Sequence, residues 1–460
     1  MEEYIKNLCE NKKILILGFG REGRATYDFI KKNVTNPDIT VADLKPQEVE
    51  EKVIFGAGYM DSIEDYDIVF KSPGVVLPKA AGEYKTVITS EIAEFIGIYR
   101  KNIIGVTGTK GKSTTSSLIY HTLKTAHVPV VFGGNIGVPA FMLIDEINRL
   151  KADGQMPYIV LELSCHQLEY CNVSPKTAVY LNLYEEHLDH YGTFDKYKAA
   201  KDNIYLHQKE GDKLYTGIDF SLEGIKPGID YNEYSVSYKG KKFSLPVDEW
   251  KLIGEHNCNN AALVYAICSD LGIPDDIIKD AFISFEPLAH RLAFVGETEG
   301  IKYYDDSIST IGEAAISAIK SIPGAQTALI GGMDRGIDYT DLEVFLLTAP
   351  IKNVIFMYET GYRILNELIN YGLDNEEKFD LITADSRVSE GLFEPVAEIV
   401  YDDNKMYMYA SKDLEEAVAV AKTCTDKGKT VILSPAAASY GYFKNFEERG
   451  EKFKELIQKK

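Results

Sequence analysis

Three times along the chain, a short run of β-branched and aliphatic residues ends in a glycine- or acid-bearing turn and continues with helical spacing. The three stretches are "KKILILGFGREGRATYDFIKK", "NIIGVTGTKGKSTTSSLIYHTL" and "IKYYDDSISTIGEAAISAI". Alternation of this kind builds parallel sheets covered by helices, so the expected class is α/β. No repeat of fixed period and no low-complexity linker breaks it. Boundaries are expected near residues 97 and 287, giving segments 1–97, 98–287 and 288–460. The second lies beside "FEPLAHR", where a proline interrupts the helical pattern "DDIIKDAFISF".

Composition narrows the possible partners. With 460 residues, 45% of them hydrophobic, the chain can bury several cores. Lys and Arg total 50 against 70 Asp and Glu, a formal net charge of -20. Such a surface repels phosphate backbones, so nucleic acid is not an expected partner. A phosphorylated ligand would have to be held by local loops, helix ends or metal ions. The six cysteines (Cys9, Cys165, Cys171, Cys258, Cys268, Cys424) form no CxxC pair and no zinc spacing, and they read as reduced thiols. The start, "MEEYIKNLCE", is acidic and lacks the apolar stretch of a signal peptide, and no apolar run reaches the length of a membrane span. The expectation is a soluble, cytoplasmic protein, monomeric and away from membranes.

The first segment carries G-x-G-x-x-G (Gly18, Gly20, Gly23) between a strand and a helix, and Asp43 ends the next strand, "ITVAD". That spacing suits a dinucleotide fold, whose acid reaches a ribose. It equally suits a glycine turn of any doubly wound domain, or a nucleotide-like ligand that is not a redox cofactor. The motif does not separate these. "FKSPGV" (Ser72, Pro73, Gly74) follows a further strand and is expected to line the same strand-end crevice.

The second segment contains "GVTGTKGKSTT", close to a Walker A loop but with Val106 where the standard frame has its first glycine. The extra glycine is Gly108, three places before Gly111. A strand–glycine loop–helix aims backbone N–H groups and a helix N-terminus at an anion. Lys112 adds a mobile charge for the β- and γ-phosphates, and Ser113 a hydroxyl for magnesium. Glu162 ends the buried strand in "PYIVLELSCHQLEY", the position of Walker-B-like carboxylates. His187 follows the next strand, "TAVYLNL". Zinc competes for His187, because His190 lies three residues on; a zinc site needs a third strong ligand, and none is evident. In "TFDKYKAAKDNIYLH", Lys198 and Lys201 lie three apart on a helix, and nothing in the composition singles out either.

Taken together, "GTKGKSTT", "GGNIG", "LELSCHQLE", "NLYEEHLDHY", "YKAAK", "GEHNCNNAALV", "AHRL", "GGMDRG" and "SPAAASYGYFKNFEERG" occur in the order seen in Mur ligases. The resemblance covers nearly the whole chain and is strongest to the branch that adds glutamate to UDP-N-acetylmuramoyl-L-alanine in peptidoglycan synthesis. It implies three domains: two Rossmann-like doubly wound domains flanking a central P-loop ATPase-like α/β domain. It implies ATP and magnesium, with two metal sites, and the shorter G-T-x-G-K-[ST] phosphate loop. Gly108, Thr109, Lys110, Gly111, Lys112, Ser113 and Thr114 would hold ATP phosphates. Asn257 and Asn260 would contact adenine, and Arg291 and Asp306 would close over the nucleotide. Ser113, Glu162, His187 and Lys201 would hold metal, Lys201 as a carbamate formed with carbon dioxide. Asn135 would contact the acyl group being activated, so Lys112, Asn135, His187 and Lys201 form the expected catalytic set. Gly18, Phe19, Gly20, Arg21, Asp43, Ser72, Pro73 and Gly74 would cradle the uridine diphosphate. Thr310, Arg335, Ser439 and Phe446 would receive the incoming amino acid. Other ATP-dependent amide ligases of the Mur and folylpolyglutamate type are the alternative, although no "DNPR" element of the diaminopimelate-adding type is present.

Two departures from the family pattern stand out. Cys165 and His166 occupy positions that are often serine and phenylalanine. Residues 305–311 read "DDSISTI" where the glutamate-adding enzymes typically have Asn-Asp-Ser-Lys-Ala-Thr-Asn. Ile308 thus removes a cation, and Asp305 adds an anion beside the expected site of a dianionic amino acid. Either Arg335 covers the loss and D-glutamate binds, the default, or glutamate sits in a different pose that opens the choice to L-glutamate.

Overall fold

The computed structural model describes residues 1–287, 289–374, 380–383, 394–401 and 404–459. They form two compact units, one of Met1–Trp250 with Cys258–Phe285, the other of Lys251–Asn257 with Glu286–Lys460. Among the described residues, no helix is long and apolar enough to cross a membrane.

The first unit holds two five-stranded parallel sheets. In one, β1 (Lys13–Leu17), β2 (Asp38–Asp43), β3 (Lys52–Phe55), β4 (Ile68–Lys71) and β5 (Val87–Thr89) lie in the order β3-β2-β1-β4-β5. In the other, β6 (Ile103–Thr107), β7 (Val130–Gly134), β8 (Tyr158–Glu162), β9 (Thr177–Tyr180) and β10 (Lys213–Thr216) lie in the order β10-β9-β6-β8-β7. In both sheets the first strand in sequence is central, with later strands added on either side. That reversal opens a crevice at the C-terminal ends of the central strands, where such folds bind ligands. Buried on both faces, β6 reads as an unbroken run, "IIGVT", in place of an alternating pattern. The helix Glu91–Tyr99 carries the chain out of the first sheet and β6 starts at Ile103, so the passage is residues 100–102.

One apolar cluster serves both sheets, running from Ile14, Ile16 and Phe70 through Phe95 and Ile96 to Val131, Phe141 and Leu161. Phe29 of the first sheet's helix meets Phe141 at 4.8 Å between ring centroids. Buried polar contacts accompany it. Glu91 accepts the backbone N–H of Phe141, and the Gln167 amide donates to Glu22 at 2.6 Å. A three-stranded antiparallel sheet, β11 (Gly228–Asp230), β12 (Ser235–Tyr238) and β13 (Lys241–Ser244), completes the strands of this unit.

The second unit is built on an eight-stranded sheet. Its strands are β14 (Ala293–Thr298), β15 (Ile301–Asp305), β16 (Ala325–Ile330), β17 (Asn353–Met357), β18 (Asp380–Thr383), β19 (Ala397–Tyr401), β20 (Asn404–Ser411) and β21 (Thr430–Leu433), in the order β14-β15-β21-β16-β17-β20-β19-β18. Strands β15, β21, β16, β17 and β20 pair in parallel, while β14, β19 and β18 add antiparallel edges. Strand residues alternate between faces: Ala328 and Ile330 join one apolar cluster, and Leu329 joins the other. Helices therefore cover both sides of this sheet.

Candidate active site

The crevice of the first sheet brings its two glycine turns together. The Ser72 hydroxyl donates to the Gly18 carbonyl at 2.6 Å. A Cβ on Gly23 would lie 2.1 Å from the same carbonyl, so only glycine lets the helix Arg21–Asn33 pack this close. A Cβ on Gly20 would meet nothing within 4 Å, which leaves its backbone open to a ligand. Pro73 and Gly74 follow Ser72 in the turn after β4. Asp43 has structural work here: its carboxylate accepts the N–H groups of Phe19 at 2.6 Å and Lys45 at 2.9 Å. Arg21 does not face this crevice alone. Its guanidinium donates to the carbonyls of Asn135 at 3.0 Å and Gly137 at 3.1 Å, tying the first sheet to the loop after β7.

The loop between β6 and the helix Lys112–Thr125 has the geometry of an anion cradle. Gly108 and Gly111 lie at φ +153° and +84°, and Gly111 begins the helix without a side-chain cap. Gly111 thus offers the first-turn N–H groups of this 14-residue helix no side-chain cap. Asn182, which the sequence reading missed, pins the loop from the strand next door. Its side chain accepts the N–H of Lys110 at 2.9 Å and donates to the Lys110 carbonyl at 3.1 Å. Thr109 meets the Tyr197 hydroxyl at 2.9 Å, and Ser113 and Thr114 are buried in the helix start. Asn260 faces the loop too, since a Cβ on Gly111 would lie 2.9 Å from its Oδ1.

Two lysines meet on one carbonyl. Both Lys112 Nζ and Lys201 Nζ donate to the Gly108 oxygen at 2.9 Å, and Lys112 also donates to Thr109 O at 2.9 Å. Lys201 is 1% exposed and its ring neighbour is Tyr197. Burial, followed by the nearby charge of Lys112, lowers the Lys201 amine to about 7. Nothing in the helical spacing of "YKAAK" foretold this; only packing separates Lys201 from the half-exposed Lys198.

Glu162 closes β8, 2% exposed. Its Oε1 accepts from the Asn135 amide at 2.6 Å, and its Oε2 is buried without a hydrogen-bond partner among the described residues. A carboxylate oxygen in that position suits a cation. The backbone N–H of Asn135 donates to the Glu162 carbonyl at 2.8 Å, so the two residues are fixed as a pair. His187 follows β9 with a left-handed backbone, φ +59°. Its Nε2 lies 3.7 Å from Glu186, whose other oxygen lies 3.4 Å from Lys110.

The expectation that no third zinc ligand lies near His187 is overturned. Cys165, His166 and His187 each offer a ligand atom, and these atoms all lie within 4.8 Å of one another. Cys165 and His166 sit 21 and more residues upstream, at the end of a different strand, so sequence spacing could not bring them in.

In the second unit, Asn257 donates to the Ile253 carbonyl at 2.7 Å. Arg291 stands close enough to His256 and Asp306 to shift both electrostatically. Asp306 is buried, accepts from Ser309 and, at 2.8 Å, from Ser434, and is pushed up to about 6 by desolvation. Arg335 donates to the Thr310 carbonyl at 3.1 Å, placing those two residues together. Ser439 is buried, and Phe446 opens the helix Phe446–Gln458.

Asp305 does not present an added anion to a ligand. It is fully buried, and its carboxylate accepts from His290 Nδ1 at 2.6 Å and from the Ser307 N–H at 2.9 Å. Ser307 in turn receives Arg449 Nε at 3.0 Å, and Arg449, also fully buried, donates to the carbonyls of Ser307 and Ala437. This network was not legible in the sequence, because its members are scattered over 290–449.

The first unit thus carries a glycine-bent loop and a helix start at the C-terminal ends of parallel strands, an arrangement suited to an anion. Residues 106–268 match the Mur ligase middle domain. Over 98% of its length the chain is 32% identical to the UDP-N-acetylmuramoylalanine–D-glutamate ligase of Clostridium tetani, covering 98% of that protein. It is also 32% identical to the protein of that name from Clostridium acetobutylicum, over 99% of this chain and 98% of the relative. Among solved structures, the MurF ligase of Thermotoga maritima in complex with ADP matches with a TM-score of 0.56 at 17% identity, covering 98% of this chain and 96% of that one. UDP-N-acetylmuramate-alanine ligase of the same organism matches with a TM-score of 0.54 at 18% identity, covering 97% and 99%. The chain belongs to the Mur ligase family of ATP-dependent ligases.

Proposed function

We propose that this enzyme joins D-glutamate to UDP-N-acetylmuramoyl-L-alanine, splitting ATP to ADP and phosphate, as a monomer in the cytoplasm. The printed activity of its relatives supports this reading over near-complete alignments. The observation that carries it is the meeting of Lys112 and Lys201 on the Gly108 carbonyl, at the mouth of the phosphate loop.

A carboxylate does not react with an amine in water, because its oxygen is a poor leaving group. Phosphorylation by ATP makes an acyl phosphate; the glutamate amine attacks that carbonyl, and phosphate departs. Negative charge builds at each step, so donors and cations near the loop do most of the catalysis. Lys112 and the uncapped N–H groups of the helix Lys112–Thr125 face the phosphoryl group, with Gly108, Thr109, Lys110, Gly111, Ser113 and Thr114 shaping the loop. Asn135, held by Glu162, orients the acyl group. Magnesium, when bound, would supply positive charge against the phosphate oxygens. The partnerless Glu162 Oε2 suits such an ion, with Ser113, His187 and a carbamate on Lys201 completing the set. The depressed Lys201 amine supports that carbamate, because the neutral form is the one that attacks carbon dioxide.

In this reading residues 1–97 hold the uridine diphosphate through Gly18, Phe19, Gly20, Ser72, Pro73 and Gly74, with Arg21 and Asp43 holding the surrounding loops. Residues 98–287 hold ATP, Asn260 reaching the base, and residues 288–460 receive glutamate through Thr310, Arg335, Ser439 and Phe446. Asn257, Arg291 and Asp306 serve the nucleotide. The burial of Asp305 against His290 removes the added anion from the case for L-glutamate, so D-glutamate is the substrate proposed. The test is mass spectrometry of the products formed from UDP-N-acetylmuramoyl-L-alanine and ATP in parallel incubations with pure D-glutamate, pure L-glutamate or a mixture of the other amino acids. A D-glutamyl product supports the reading. An L-glutamyl product, a different amino acid, or phosphate release that needs neither substrate overturns it.

A further inference from the structure

We propose that Cys165, His166 and His187 form a binding site for a thiophilic divalent ion, Zn2+ in the first instance, separate in chemistry from the magnesium site that would share His187. The three come from two strand ends of one sheet: Cys165 and His166 open the short helix Cys165–Leu168 after β8, and His187 follows β9. Cys165 Sγ lies 3.5 Å from His166 Nδ1. With Zn–S of 2.3 Å and Zn–N near 2.0 Å, two such ligands of a tetrahedral ion stand about 3.5 Å apart. The pair is therefore already at coordination spacing. The His187 atom completes a set within 4.8 Å, a gap that side-chain torsion can close.

The donor set selects the ion. One thiolate and two imidazoles suit zinc, whereas magnesium prefers oxygen and gains little from sulfur. Binding converts the Cys165 thiol to thiolate and releases its proton to solvent. Three protein ligands leave a fourth tetrahedral position for water. Entry is available from the His187 side, whose side chain is 31% exposed, while Cys165 is 2% exposed. His190 meets His166 edge-on, ring centroids 4.4 Å apart and planes nearly perpendicular, and its Nε2 lies 3.3 Å from Glu169 Oε2.

Cobalt replaces zinc with similar ligands and reports a bound thiolate by an intense charge-transfer absorption, so the probe is Co2+ titrated into the metal-free full-length enzyme without magnesium. The expected result is a thiolate-to-cobalt band saturating at one equivalent and erased by stoichiometric Zn2+. Cys165→Ser should abolish the band, and His166→Phe, which keeps the thiol, should weaken Co2+ binding at least tenfold. Absence of the band in the wild type, or its survival at full strength in Cys165→Ser, overturns the proposal. Because the readout is spectroscopic, it stands or falls independently of the identity of the ligase substrates.

Discussion

The phosphate-loop region of the first unit and the 290–449 network of the second hold their functional residues by opposite means. Around β6 and β8 the backbone does the placing: left-handed glycines bend the loop, strand ends set Glu162, and a helix start supplies N–H donors. In the second unit side chains do it: His290, Asp305, Ser307 and Arg449 are buried and joined end to end, and the backbone merely follows. Replacing a side chain in the first arrangement is therefore expected to cost little stability, because the backbone shapes the loop. Residues in the second are structural and positional at once, so their loss should cost stability before it costs chemistry.

The largest effect should come from the loop. Lys112→Ala is expected to lower turnover by roughly a hundredfold or more, since it removes the charge proposed to face the migrating phosphoryl group. Its melting temperature should stay near that of the wild type; steady-state phosphate release and calorimetry read the two quantities. Full activity would make the loop structural and erase the contrast.

Lys201→Ala follows, with most activity lost and part of it restored by formate, which can stand in for a missing carboxylate. Unchanged magnesium dependence in this variant, with no rescue by any small carboxylate, would count against the carbamate and leave Lys201 as a loop brace only.

In the second unit, Arg449→Met should destabilise by about 2–3 kcal/mol, because it strands the buried groups that the guanidinium now satisfies. Gly450→Ala should behave similarly: a Cβ there would lie 2.1 Å from His290 Nδ1 and 2.6 Å from Asp305 Oδ2. Denaturant unfolding measures both. A variant that kept wild-type stability yet lost turnover would mean that this network acts in the chemistry and not in holding the fold.

A further effect is one of pH, and it touches both units. Burial pushes the Glu22 carboxyl from 4.5 up to about 7 and Asp306 from 3.8 up to about 6. Folded protein then binds more protons than unfolded protein across those windows, so each group's contribution to stability falls as pH rises through them. Glu22→Gln should flatten the decline between about pH 4.5 and 7, and Asp306→Asn the decline between about pH 4 and 6. Identical stability profiles for wild type and both variants would show that neither shift survives in solution.

Much of the first unit was legible in the chain. The strand–glycine–helix transitions announce both crevices because backbone geometry is local: a turn that needs φ > 0 or a close helix approach calls for glycine at that place. Glu162 was legible for a similar reason, as the acid that ends an unbroken apolar strand. The role of Arg21 was not, because its partners, the carbonyls of Asn135 and Gly137, carry no side-chain signature. Cys165 and His166 read as incidental departures, and only the packing of two strand ends made them neighbours of His187.

By itself, then, the sequence determined the α/β class, the order of strand and helix, the phosphate loop and the residues at its strand ends, since each is encoded within a dozen consecutive positions. Tertiary structure alone decided which of two helical lysines is buried, that Asp305 faces His290 and not a ligand, and that a thiol and two imidazoles converge. Those outcomes depend on desolvation and on contacts between residues far apart in sequence, and the strength of either is set by surroundings that no local pattern contains.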